Sequence, residues 1–396
     1  NPPYVRQELI KEIKPNLRKV FPEVYTGTSD LYCFFYARSL QLLREGGMLA
    51  FISSNKWFRA NYGEKLREHI AETCQVSSIT DFGDLPVFGN ASVLVMIFIA
   101  KKEEIKEQST TFTKVQSLES PYPDVSEIIK QSGELLPSSA INRSNWLLTD
   151  AKTAKQIKKM QEVGKPLGDY IQGKIYRGIL TGCNKAFFID GEKREELIAK
   201  DSKSAEIIKP LAIGDDIRKW HIRDKNRWLI VSKVGIKIED YSAIYEHLYQ
   251  WKHNLEKRSD KGKYWWELRA CSYYDLFEKP KIIYPDMAKS SRFAFDTKGH
   301  FTNNTTFIIP ELDLYLLSVL NTSIVYKFFA VISQEIMGNS LRFFRQYVEQ
   351  IPIPPATEEQ KSAISKLAQK CIDAKGVNCE KSEQEIDEIV AGLYSL

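Results

Sequence analysis

Two consecutive prolines stand at the head of this chain, in Asn1-Pro2-Pro3-Tyr4, and no other feature restricts its backbone so strongly. Each proline ring fixes φ and removes a backbone donor, so any acceptors the segment carries are held rigidly. The Asn1 side-chain oxygen and the Pro2 carbonyl are two such acceptors. Each can take one hydrogen from a planar amine, which pulls that nitrogen towards tetrahedral geometry and frees its lone pair. Tyr4 places an aromatic face beside them. The same four residues can also form a plain turn in which Pro-Pro ends an element. The segments that follow decide between the two.

Residues 30–43 have helical apolar spacing and stop at Gly46-Gly47, which reads as a helix ended by glycine. Met48-Leu49-Ala50-Phe51-Ile52 is a short apolar run suited to a buried parallel strand, with Ser53-Ser54-Asn55-Lys56-Trp57 after it. Asn55 and Lys56 are open to a phosphate or substrate contact or to an ordinary loop role. Ile79-Thr80-Asp81-Phe82-Gly83 then precedes residues 85–92 and the apolar run 93–100, expected as a hairpin that closes the sheet edge.

This order of elements resembles the amino-methyltransferase family in which NPPY is motif IV, placed after the fourth strand of a Rossmann-like sheet. The resemblance implies S-adenosylmethionine as methyl donor and adenine as the base. Asn1, Pro2, Pro3 and Tyr4 would form the catalytic loop, and Phe88 would stack on the flipped base opposite Tyr4. The family binds its cofactor mainly through an earlier glycine-rich strand–turn–helix, and Gly168, Gly173 and Gly178 do not form that pattern. The expectation is therefore the C-terminal part of a longer enzyme, cut at or just before motif IV and inactive by itself. An endonuclease domain with Mg2+ could be fused upstream, outside this chain.

At 396 residues and 43% hydrophobic content the chain is long enough for two or more domains. No apolar run approaches membrane-spanning length, and a cytoplasmic bacterial or archaeal protein is expected. Cys33, Cys74, Cys183, Cys271, Cys371 and Cys379 lack the close pairs of a zinc site, and the histidines His69, His221, His247, His253 and His300 are equally dispersed. No metal is expected. The net charge of +5 is too small by itself to argue for nucleic acid.

The expected organisation is α/β: the C-terminal half of a Rossmann-like methyltransferase sheet (1–104), a connector with some structure of its own (105–160), an α+β target-recognition domain (161–355) and a helical tail (356–396). From Lys165 onward the sequence breaks into short β-like runs. Arg177-Gly178-Ile179-Leu180-Thr181-Gly182-Cys183-Asn184-Lys185, followed by Phe187-Phe188-Ile189-Asp190, resembles the opening of the TaqI-like recognition domain, and Gln350-Ile351-Pro352-Ile353-Pro354 resembles its terminal signature. In that domain Arg177, Thr181, Asn184 and Lys185 offer donors to DNA. Arg258, Lys261, Lys263, Tyr264 and Trp265 combine cations with aromatics, as phosphate contact plus stacking requires, while Lys289, Ser291 and Arg292 follow a strand and suit a groove. A solvated charged face and core tryptophans are the alternative.

The partner implied is double-stranded DNA, with no membrane, together with the preceding portion of the same polypeptide. A DNA-binding specificity module without activity of its own is the second reading. A protein-glutamine methyltransferase is the third, because that family also uses NPPY. Its members lack a long domain after the closing hairpin, whereas some two hundred residues follow the connector here.

Overall fold

The computed structural model describes residues 1–89, 93–103, 109–142, 146–336 and 340–396. Residues 90–92 of the expected hairpin loop and the expected boundary at 104/105 lie outside these. The fold is mixed α/β with several sheets and a helical tail, and it divides into two compact units, Asn1–Glu162 with Phe328–Arg342, and Val163–Lys327 with Phe343–Leu396.

In the first unit, helix α1 (Leu31–Leu42) buries Tyr32, Cys33, Phe34, Tyr36, Ala37 and Leu40. The turn behind it needs Gly46 at φ +75°, where a side chain would be strained. Strand β1 (Met48–Ser54), helix α2 (Glu64–Thr73) and strands β2 (Cys74–Asp81), β3 (Val95–Lys102), β4 (Thr111–Lys114) and β5 (Glu134–Leu135) follow. The sheet order is β1-β3-β2-β4-β5. β3 runs antiparallel to both β1 and β2, from Met48↔Lys101 to Ser54↔Val95 on one side and from Cys74↔Lys102 to Asp81↔Met96 on the other. β1 and β2 are therefore parallel, and both end at the same edge of the sheet.

Two expectations change here. The 93–100 run does not close the sheet. It is inserted between β1 and β2, and its continuous apolar character is that of a strand covered on both faces and paired on both sides. The stretch read as a connector extends the sheet instead, through β4 paired in parallel with β2 and β5 paired antiparallel with β4. Its Trp146 also enters the first core, edge-on to Trp57 at 5.1 Å and stacked with Phe98 at 6.2 Å.

The second unit holds two four-stranded sheets. Their strands are β6 (Tyr176–Arg177), β7 (Phe188–Asp190), β8 (Ile208–Ala212), β9 (Arg227–Ile230), β10 (Lys281–Pro285), β11 (Ala294–Asp296), β12 (Phe301–Thr302) and β13 (Thr306–Ile309). One sheet is ordered β12-β8-β9-β7 and the other β11-β10-β13-β6. Helix α3 (Leu314–Leu320) is buried along nearly its whole length and packs on α4 (Glu358–Asp373), which pairs with α5 (Glu380–Leu393). Thr357 and Gln360 form a capping box at the start of α4. The tail is tied to the rest of the unit by polar bonds as well: Tyr315 donates to the Pro354 carbonyl (2.6 Å), Tyr394 to the Pro352 carbonyl, and the Trp220 indole N–H to Glu383 (2.5 Å). Among the described residues no single helix is long and apolar enough to cross a membrane.

Candidate functional site

Because β1 and β2 are parallel, the loops that leave their carboxyl ends share one edge, where open α/β sheets bind ligands. The loop after β2 begins at Asp81, a buried carboxylate whose Oδ1 accepts hydrogen bonds from the Asn55 side-chain amide (2.8 Å) and the Gly83 N–H (3.0 Å). Asn55 follows β1, so this bond joins the two strand ends. It sets the start of the loop that carries Phe88.

The NPPY segment reaches the same place from the other side. Pro2 is buried, Asn1 and Pro3 are exposed, and Tyr4 is half-buried. The chain beyond it is pinned to the start of α1, where the Leu31 N–H donates to the Val5 carbonyl (3.1 Å) and the Gln7 N–H to Asp30 Oδ1 (3.0 Å). Burial raises the Asp30 pKa, and the Gln7 bond partly opposes that rise. Tyr4 and Phe88 meet with ring centroids 6.2 Å apart at 53°, and Tyr32 lies 6.5 Å from Tyr4 on another side. The Tyr4 hydroxyl is withdrawn from solvent without a hydrogen-bond partner, and burial pushes its pKa up, so it stays a neutral phenol.

Two parallel rings sandwich a third at about 7 Å, twice a van der Waals gap. Tyr4 and Phe88 therefore need to part by roughly an ångström and level their tilt to hold a planar ring between them. Sequence reasoning found both aromatics but gave no role to Asp81 or Asp30. The available signals were an acid ending a strand and an acid heading a helix.

The DNA-contact candidates separate by exposure. Arg177, Asn184, Lys185, Lys263, Tyr264 and Lys289 are exposed. The Arg177 Nε–H donates to the Asn304 carbonyl (3.0 Å), which aims its guanidinium. Tyr264 stacks on Trp266 at 4.7 Å and 9°, with the Lys263 ammonium 5.3 Å from the Tyr264 ring. Lys261, Trp265 and Arg292 are half-buried: the Lys261 ammonium donates to the Glu256 carbonyl, and Trp265 packs against Tyr245 at 5.9 Å. Arg292 lines a cleft of about 660 Å³ together with Arg218, Glu380, Glu383 and Asp387.

Thr181, Arg258 and Ser291, also expected as DNA contacts, are buried. The Thr181 hydroxyl donates to Asn184 Oδ1 (2.6 Å). Arg258 spends its terminal nitrogens on the carbonyls of Thr181 (2.6 Å), Asp260 (3.1 Å), Trp265 (2.8 Å) and Glu267, with its guanidinium 4.7 Å from the Phe187 ring. Burial lowers its pKa to about 10, which leaves it charged at neutral pH. It is a bracket between two loops.

Residues 1–88 match the family model of the Eco57I restriction-modification methylase, and residues 209–353 match the TaqI-like C-terminal specificity domain. The chain is thus similar over one segment to a restriction-modification methylase and over another to a specificity domain. Among individual relatives, the type II methyltransferase M.BstVI of Geobacillus stearothermophilus is 25% identical over 422 residues, covering 100% of this chain and 72% of the relative. M.XhoI of Xanthomonas vasicola is 26% identical over 380 residues, covering 89% of this chain and 67% of that one. The solved type IIL restriction-modification enzyme MmeI, in complex with DNA, superposes with a TM-score of 0.70 at 14% identity. The match covers 100% of this chain and 53% of the MmeI chain, so the chain has the fold of about half of that enzyme.

Proposed function

We propose that this chain is the base-holding and specificity-bearing part of a site-specific DNA adenine-N6 methyltransferase of a restriction-modification or phage-defence system. The observation that carries this reading is the meeting of Tyr4 and Phe88 at 6.2 Å, at the edge where the strands β1 and β2 end. Duplex DNA is the partner, and the target adenine leaves the helix because no active site reaches its amine inside a base pair. Tyr4 and Phe88 hold its two faces. Asn1 and the Pro2 carbonyl accept the amine hydrogens, with the Asn1 side chain exposed towards solvent and free to receive them. S-adenosylmethionine supplies the methyl group when bound. Residues 161–355 recognise the site, with Arg177, Asn184, Lys185, Lys263, Tyr264 and Lys289 as the exposed contacts.

The test is expression of the full-length protein in a methylation-free host, followed by sequencing of modified adenines. One methylated motif is expected, and Asn1→Ala should lower the rate by about 10²–10³-fold while leaving DNA affinity largely intact. A genome without any modified motif would sink the proposal.

A further inference from the structure

Strands β1 and β2 are not neighbours in their sheet, because β3 runs between them, so their ends stand two strand spacings, roughly 9–10 Å, apart. The Asn55–Asp81 hydrogen bond crosses that gap at the start of β3. Both residues are withdrawn from solvent, Asp81 at 6% exposure and Asn55 at 9%. Asn55 also acts through its main chain: its N–H donates to the Leu94 carbonyl (3.0 Å), one residue beyond the last β1–β3 pair, Ser54↔Val95. The segment that carries Phe88 leaves the sheet at Asp81 and returns to it at Leu94. Asn55 therefore holds both of its ends.

Two further bonds tighten the same stem. The Phe82 N–H donates to the Val95 carbonyl (2.9 Å), and Asp81 Oδ1 takes the Gly83 N–H besides the Asn55 amide, a turn that runs through Gly83 at φ +53°. Beyond it, the N–H groups of Leu85, Val87 and Gly89 reach back only to the carbonyls of Phe82, Leu85 and Pro86, as local turns. Phe88 is half-buried against a small apolar cluster of Phe82, Val95 and Val115, of which the first two belong to the stem. The course of the segment is thus set at the stem.

We propose that Asn55 is a positioning residue for methyl transfer: by holding both ends of the Phe88 segment it keeps the Phe88 ring opposite Tyr4, ready for the second face of an extruded base. The inference rests on the methyltransferase reading and adds to it a residue that acts through Phe88 and not on the substrate. Misplacing a substrate-facing group by about 1 Å costs up to about 100-fold in rate.

The experiment measures single-turnover methylation by the full-length protein on duplexes carrying its methylated motif, well below the melting transition. Asn55→Leu removes the side-chain donor at similar volume and keeps the main-chain bond to Leu94. It should slow methyl transfer by about 10–100-fold, no more than Phe88→Ala does, and leave the KM for S-adenosylmethionine within about threefold. In a Phe88→Ala background the same substitution should slow the reaction no further. Asn55→Asp sets one carboxylate against another and should also be slow. Combined with Asp81→Asn it should recover most of the rate, because the new amide then donates to the new carboxylate and its oxygen still accepts the Gly83 N–H. An equal loss with and without the Phe88 ring would overturn the proposal, since a general defect of the fold slows the enzyme in both backgrounds. A wild-type rate in Asn55→Leu would overturn it too. Absence of methylation by the wild type would remove the reading beneath it, and the positioning role with it.

Discussion

Arg258 and Lys56 are both cations drawn back from solvent, one in each unit, and they are handled in opposite ways. The Arg258 guanidinium is enclosed by four carbonyl oxygens and an aromatic face, whereas the Lys56 ammonium has no partner among the described residues. A buried cation whose terminal N–H groups are all engaged, as those of Arg258 are although its Nε–H has no partner, belongs to the fold, because its loss strands the groups around it. A withdrawn cation with nothing engaged adds a desolvation cost that only a ligand offsets. Residue type and neighbouring motif do not separate these cases. Counting partners does.

The largest effect expected from this contrast is structural. Arg258→Met leaves the carbonyls of Thr181, Asp260, Trp265 and Glu267 without their donor, a loss of about 2–4 kcal/mol. For a unit of this size that corresponds to a fall in melting temperature of roughly 5–10 °C. DNA affinity measured well below the transition should stay within about threefold of the wild type. A normal melting curve with a lost DNA affinity would return Arg258 to the recognition surface and break the comparison.

Phe88→Ala comes next. Stacking on a base is worth about 1–3 kcal/mol by alanine substitution, so methyl transfer in the full-length protein should slow by roughly 10–100-fold, with Phe88→Trp close to the wild type. Its counterpart on the other face sharpens the same point. The Tyr4 hydroxyl is buried without a partner, so Tyr4→Phe should keep the rate within about threefold and leave stability unchanged or slightly raised. A large loss in Tyr4→Phe would show that the hydroxyl, and not the ring, holds the substrate.

The first unit was more legible in the sequence than the second for a physical reason. Its site lies where backbone topology puts it: the helix before β1, the glycine turn and the apolar strand runs are read from periodicity, and parallel strands bring their loops together whatever the side chains do. That is how Tyr4 and Phe88, far apart in sequence, meet. The place of β3 was hidden because a continuous apolar run is compatible with an edge hairpin and with an inserted central strand, and only pairing on both sides distinguishes them. The connector's membership of the sheet was hidden for the same reason, since β4 and β5 contribute few residues and no periodicity. In the second unit the chemistry of Thr181, Arg258 and Ser291 matched that of surface contacts, and their burial depends on tertiary packing that no local spacing encodes.

His247 stands between the two cations and gives the smallest predicted effect. It is buried, its Nε2 lies 2.9 Å from the Ala186 carbonyl, and its Nδ1 is enclosed without a partner. A carbonyl only accepts, so Nε2 carries the proton and the ring is neutral. Burial lowers its pKa from the usual 6.5, partly opposed by the Ala186 bond, with Lys193 lowering it further and Glu196 opposing. As pH falls through 6.5 the unfolded chain takes up a proton that the folded ring still refuses. The contribution to stability is thus complete above about pH 7.5 and is lost progressively as pH falls towards the folded pKa. His247→Gln keeps a donor for Ala186 and removes the titration. Its melting temperature should fall less steeply than that of the wild type between about pH 7.5 and 5.5, by a difference of only a few degrees. Parallel curves for the two proteins would mean that His247 takes up its proton as readily in the fold as in the unfolded chain, and that its burial carries no cost for the charged ring.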